Sequence, residues 1–235
     1  MFQHQYSPNN VNEMFFNKDK ISIINRLKIN GIHQNILISG ENGSGKYTFI
    51  KILLNNLFGN INLKNISYEL TKFILYYKFN NSFIVIDFKF YINKEKYIVE
   101  EFIKFYISSK NVFYNQEKII VIKNFNNITE KIQIGISRLI DKYNHNVKFI
   151  ILTSTKKNII EGLINRFMCI NIKQPIKTEI EEYIKEISTK ENIKLTKAII
   201  NKIIINSTNN NNFNSINIKK ILHGLELLSL NKTLF

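Results

Sequence analysis

The sequence has no tryptophan, one cysteine (Cys169), two prolines, one alanine (Ala198) and only three arginines (Arg26, Arg138 and Arg166) among its 33 basic residues. A single cysteine excludes an intrachain disulfide. With the four histidines scattered at His4, His33, His145 and His223, it also argues against a Cys/His metal cluster. No apolar run approaches the roughly 18 residues that span a bilayer, so no membrane partner is expected. The stretch Met1 to Gln5 is polar and lacks a secretory pattern, so an intracellular, non-secreted location is expected: nucleus, cytoplasm or a viral replication site. Acidic residues are the other shortage. With 18 of them against 33 basic ones, the net charge is +15. Attraction to nucleic-acid phosphates and an A/T-rich coding bias towards lysine, asparagine and isoleucine both account for that charge. Where lysine has nearly displaced arginine, each remaining arginine draws notice, because its planar fork of donors has no lysine equivalent.

What is present is a phosphate-binding loop. Gly40-Glu41-Asn42-Gly43-Ser44-Gly45-Lys46-Tyr47-Thr48 meets the pattern G-x-x-x-x-G-K-[ST] except at its last position. The apolar run at residues 35–39 suits a buried strand, and residues 46–58 have helical periodicity closed by Gly59. Strand, glycine turn and helix start together present backbone N–H groups and a partial positive charge to phosphates, and Lys46 adds a full charge. ATP or ADP is the expected ligand. Tyr47 carries its hydroxyl too far from the backbone to replace the short Ser/Thr arm on magnesium. Thr48 lies about 100° further round the helix. Magnesium binding is therefore expected to be weak or absent.

At 235 residues the chain fits one large or two smaller domains. A helix is expected at about 18–30, and strand-rich runs at 61–68, 73–79 and 82–91, with a tight turn at Asn80-Asn81. A helix over 95–108, a strand over 118–122, a helix over 129–143 capped by Thr129, and strands at 147–152 and 167–172 follow. After Pro175 the pattern becomes helical. Thr178 to Glu181 fits a capping box, further helices are expected at 195–205 and 216–230, and 207–215 reads as an asparagine-rich surface loop. The expected fold is α/β: a P-loop domain (1–174) with a parallel sheet flanked by helices, then a small helical lid (175–235).

The segment Thr129 to Tyr143, TEKIQIGISRLIDKY, is similar without gaps to the helix T-x-x-A-Q-x-A-L-R-R-x-M-E-K-Y of clamp-loader small subunits, the replication factor C type of AAA+ module; Gln133, Arg138, Lys142 and Tyr143 match. Tyr6-Ser7-Pro8 stands where that family has Tyr-Arg-Pro, and Asn165-Arg166-Phe167 where it has Ser-Arg-Cys. Within the family the chain looks most like the subunit whose own ATP site is degenerate, with residues 82–88 and the strands before them resembling that subunit's extra β-hairpin. The resemblance implies that Arg138 faces primer–template DNA and that Arg166 reaches a neighbouring subunit's γ-phosphate as a trans arginine finger. It implies that a sensor lies near Thr153 or Ser154 and the lid sensor at Lys219. Other clamp-loader subunits and the sliding clamp are the implied partners. The family's Asp-Glu-x-Asp would fall at Lys123-Asn124-Phe125-Asn126, where no carboxylate exists. That loss implies a poorly hydrolysing site with no metal ligand. The sequence stops after the lid, so the family's collar domain is expected to be absent.

Two other readings stay open. Phe83-Ile84-Val85-Ile86-Asp87 is also an apolar run ending in an acid, and an independent P-loop ATPase or kinase could use Asp87. A structural adaptor that no longer binds nucleotide is the other.

Overall fold

A computed structural model describes residues 2–59, 61–109, 118–126, 128–208 and 216–231, the last without its side chain. The asparagine-rich run 209–215 lies outside the described residues. The chain forms two compact units. One comprises residues 26–39 and 57–171; the other gathers 1–25, 40–56 and 172–235.

The first unit holds a seven-stranded sheet: β1 (Asn35–Ser39), β2 (Lys64–Glu69), β3 (Ile74–Asn80), β4 (Phe83–Asp87), β5 (Lys118–Lys123), β6 (Val147–Thr153) and β7 (Phe167–Asn171), in the order β2-β3-β4-β5-β6-β1-β7. β4, β5, β6, β1 and β7 run parallel, and β2 and β3 extend the edge antiparallel. Isoleucine dominates the parallel strands because a sheet covered on both faces wants continuous β-branched runs. β1 and β6 are buried along their whole length.

The helices are α1 (Phe2–Gln5), α2 (Ile21–Asn30), α3 (Lys46–Phe58), α4 (Glu95–Tyr97), α5 (Lys104–Ser108), α6 (Glu130–Tyr143), α7 (Glu161–Ile164), α8 (Lys177–Lys190), α9 (Lys197–Ser207) and α10 (Ile218–Asn231). A π-helical stretch, Ile98–Ile103, joins α4 to α5. It presents Ile98, Val99, Phe102 and Ile103 to the same core that receives Ile136, Leu139 and Ile140 of α6. Each such side chain contributes about 1.5–3 kcal/mol by leaving water.

In the other unit, Ile180, Ile184 and Ile187 of α8 share a core with Ile200, Ile203 and Ile204 of α9 and Ile221, Leu222 and Leu225 of α10. The N-terminal segment joins them. Phe2 is buried in that cluster, the Tyr6 hydroxyl bonds Glu191, and the Tyr183 hydroxyl donates to the Tyr6 carbonyl at 3.3 Å.

Three local expectations change. β4 pairs parallel with β5 from Phe83↔Ile119 to Asp87↔Lys123, so it is a central strand as well as the antiparallel neighbour of β3, not simply part of an inserted hairpin. α8 starts one residue before Thr178. Glu179 accepts the Ile176 amide at 3.0 Å, and isoleucine has no side-chain acceptor to complete a capping box. Thr129 does sit at the N-cap of α6, but its hydroxyl makes no capping bond.

Candidate functional site

The loop from Gly40 to Lys46 leads into α3, whose first described bond runs from the Phe49 amide to the Gly45 carbonyl at 2.9 Å. Two glycines are required by close approach. A methyl group on Gly40 would stand 2.4 Å from the Ile172 carbonyl oxygen. Gly43 has φ +88°, and a methyl group there would stand 2.9 Å from Asn217 Cα. Glu41 and Asn42 are exposed, Ser44 is buried, and Tyr47 and Thr48 are half-buried in the first turn of α3.

Lys46 Nζ folds back to donate to the Gly40 carbonyl at 2.6 Å and the Glu41 carbonyl at 2.8 Å. Burial pushes its pKa down to about 8, opposed by the nearby Glu41 carboxylate. Ser44 Oγ and Gln174 Oε1 are buried with no hydrogen-bond partner. An orphaned buried polar atom of this kind costs about 1–3 kcal/mol. A cradle that has room only for glycine backbone, an unpaired hydroxyl within it and a lysine resting on loop carbonyls fits a phosphate chain. Lys46 and the loop amides would hold it.

Two residues of this cradle were not among the sequence candidates. Asn217 packs on Gly43 and accepts the Lys219 amide at 3.0 Å, so it both starts α10 and touches the loop. Lys219 itself is exposed. Gln174 donates to Glu41 at 3.5 Å. No local pattern points to either, because both contacts join residues far apart in the chain.

In the sheet unit, the ends of β4 and β5 carry the second part of the candidate machinery. Asp87 is paired across the strands by Lys123 Nζ at 2.8 Å and Asn124 Nδ2 at 2.5 Å, and accepts the Lys89 amide at 3.2 Å. Burial works to raise its pKa, but the bonds from Lys123 and Asn124 prevail and hold it below the usual carboxylate range. Asn124 has φ +57°, a left-handed conformation that asparagine tolerates. Among the described residues no three His, Cys, Asp or Glu side chains converge on a possible metal position.

Beyond β6, the buried Thr153 hydroxyl lies 2.6 Å from the Thr155 carbonyl and 3.1 Å from Asn126 Oδ1, which also accepts the Ser154 amide. Gln133 of α6 is fully bonded. Its Nε2 donates to the Ile128 and Asn158 carbonyls, each at 2.8 Å, and its Oε1 accepts the Ile160 amide at 2.9 Å. This one buried amide ties the start of α6 to the loop that leads into α7. Arg138 lies on the exposed face of α6 with Lys131 and Lys142.

Arg166, between α7 and β7, is held by Asp141 at the end of α6. Nε donates to Oδ1 at 2.6 Å and Nη2 to Oδ2 at 2.7 Å, while Nη1 donates to the Gly162 carbonyl. The hydrogen bonds from Arg166 lower the Asp141 pKa, and those to Asp141 raise that of Arg166.

Residues 18–168 match the family described as the sigma-54 interaction domain. The chain is 31% identical over 220 residues to a putative replication factor C small subunit of Acanthamoeba polyphaga mimivirus, an alignment covering 89% of this chain and 59% of that protein. It is 22% identical to replication factor C subunit 5 of Saccharomyces cerevisiae over 98% of this chain and 68% of the relative. Among solved structures, a RuvB variant of Thermotoga maritima superposes with a TM-score of 0.59 at 14% identity, covering 97% of this chain and 73% of that one. A DNA polymerase III gamma subunit-related protein of Thermotoga maritima gives 0.53 at 10% identity over 88% and 57% of the respective chains. These two likenesses establish the fold. No helix among the described residues is long and apolar enough to cross a membrane.

Proposed function

We propose a role for this chain on one premise: it belongs to the AAA+ P-loop family, through a domain of the sigma-54 interaction type, and resembles replication factor C small subunits. It is a clamp-loader subunit of DNA replication, working in the nucleus or at a viral replication site. It holds ATP or ADP in the Gly40–Thr48 loop, with Lys219 as the lid sensor on the 175–235 helices and Ser154 as the strand-end sensor. It turns nucleotide over poorly and binds magnesium weakly or not at all. Arg166 is donated to the ATP of a neighbouring subunit, and Arg138 contacts the backbone of primer–template DNA. The sliding clamp and the other loader subunits are its partners.

The observation that carries this reading is the contrast at the strand ends. By the resemblance the metal-binding acid would fall at Lys123, and the acid beside it, Asp87, is ion-paired with Lys123 and accepts a hydrogen bond from Asn124. A carboxylate so engaged neither collects a metal shell nor takes a proton from water.

The test is ATP turnover. The isolated protein is expected to show almost none with magnesium. In a complex reconstituted with the partner ATPase subunits, Arg166→Ala is expected to slow hydrolysis by roughly 10³-fold, the scale of a trans arginine. The chain's own nucleotide binding should persist. Full turnover by the Arg166→Ala complex would remove the finger assignment.

One feature favours a second reading. β4 is a central parallel strand, so Asp87 stands at the strand end where open α/β sheets place their chemistry. An independent ATPase using Asp87 would hydrolyse ATP alone and lose that activity in Asp87→Asn.

A further inference from the structure

We propose that Asp141 is a positioning residue for Arg166: its carboxylate grips one edge of the guanidinium and leaves the remaining donors to meet a phosphate oxygen on a neighbouring subunit. The inference rests on the reading of Arg166 as a trans finger.

A guanidinium carries five N–H groups in one plane. Three are assigned. Nε and Nη2 chelate the two Asp141 oxygens at 2.6 and 2.7 Å, and Nη1 takes the Gly162 carbonyl. One N–H on each terminal nitrogen remains, and that pair suits a phosphate. The backbone beneath is fixed as well. The Arg166 amide donates to the Leu163 carbonyl at 3.1 Å, and its carbonyl accepts Asn35 Nδ2 at 3.4 Å. Asn35 is buried and anchored in turn by the Phe149 amide at 2.8 Å. The long side chain would otherwise sample many rotamers, and Asp141 removes that freedom before any neighbour arrives.

The pair is a poor candidate for a purely stabilising contact. Its side chains are 35% and 54% exposed, and exposed ion pairs contribute little to folding. It borders a cleft of about 380 Å³ lined also by His33, Asn144 and Phe167, which leaves open space beside the guanidinium. A lysine would satisfy a simple surface charge. The two-point grip needs the arginine fork, in a chain where only three of 33 basic residues are arginine.

The experiment measures steady-state ATP turnover of the reconstituted complex with wild type, Asp141→Asn, Asp141→Glu, Arg166→Ala and the Asp141→Asn/Arg166→Ala double variant. Asp141→Asn is expected to lower kcat about tenfold with KM for ATP unchanged, because an untethered finger costs attempts and not ground-state binding. Asp141→Glu, which keeps the charge, should recover part of the loss. In the Arg166→Ala background Asp141→Asn should add nothing, since it acts only through the arginine. Unchanged kcat in Asp141→Asn, with Arg166→Ala still slow, overturns the positioning role alone. So does an equal Asp141→Asn loss in both backgrounds. A complex indifferent to Arg166→Ala overturns the finger and with it this inference. Thermal melting of the isolated Asp141→Asn chain should match wild type, which separates loss of positioning from loss of fold.

Discussion

The loop at Gly40–Lys46 and the strand ends at Asp87–Asn124 are built in opposite ways. The loop keeps each feature that cradles phosphate: backbone that admits only glycine at two points, a buried hydroxyl and a lysine. The strand ends carry Lys123 and Asn124, and the acid beside them, Asp87, is held by that lysine and by that asparagine. Binding needs a cavity and a charge, whereas hydrolysis also needs a divalent ion and a primed water. The comparison teaches that the two rest on different side chains, so each can be altered without the other.

The sharpest way to break the comparison is at its intact side. Lys46→Ala removes the charge-assisted bonds, each about 1.5–3 kcal/mol, and should weaken nucleotide binding by roughly a hundredfold or more. Calorimetry or the melting shift given by ADP checks this. A wild-type protein that shows no shift with ADP would favour the adaptor reading. At the strand ends, Asp87→Asn should destabilise the chain by about 1–3 kcal/mol, because it removes the charge-assisted bond that Asp87 accepts from the half-buried Lys123, while turnover of the isolated protein stays near zero. Chemical denaturation and an ATPase assay read the two halves of that statement.

The smallest expected effect, read between pH 7 and 9, is a pH dependence of nucleotide affinity. The Lys46 pKa of about 8 in the folded protein is depressed below its ordinary value, so the folded state carries a cost for the charged form at pH below 8. That cost fades as pH rises from about 8 towards the ordinary lysine value, where the folded protein becomes relatively more stable. Phosphate binding requires the charged form. Affinity for ADP should therefore be flat below pH 8 and fall about tenfold per unit above it, until the bound-state pKa is reached. Affinity independent of pH between 7 and 9 in wild type, and equally weak in Lys46→Ala and wild type, would mean that Lys46 does not meet the phosphates.

The elements and the loop were legible because they are local. Alternating glycines, an apolar five-residue run and a 3.6-residue period each declare themselves within about a dozen positions. Strand β4 was harder. Phe83 to Ile86 has the same apolar composition whether it closes a hairpin or lies inside a parallel sheet, and only its pairing with β5 decides. Helix caps misled for a related reason. Thr178 has the right chemistry, but Ile176 takes the position because its backbone is still extended and helical geometry begins at Lys177. The contacts that define the site join distant residues. Asp87 meets Lys123, Asp141 meets Arg166, and Asn217 meets Gly43. No periodicity encodes such pairs. Scarcity of arginine flagged Arg166, but nothing in the sequence flagged its carboxylate.

The approach of Asn217 to Gly43 has a mechanical consequence. The backbone of the cradle and the residue that starts α10 are separated by little more than a hydrogen atom's width of spare room. Asn217 is fastened to the first turn of its helix through the Lys219 amide. The cradle and the first turn of α10 therefore share one tight contact, and a larger residue at either Gly43 or Asn217 would disturb both.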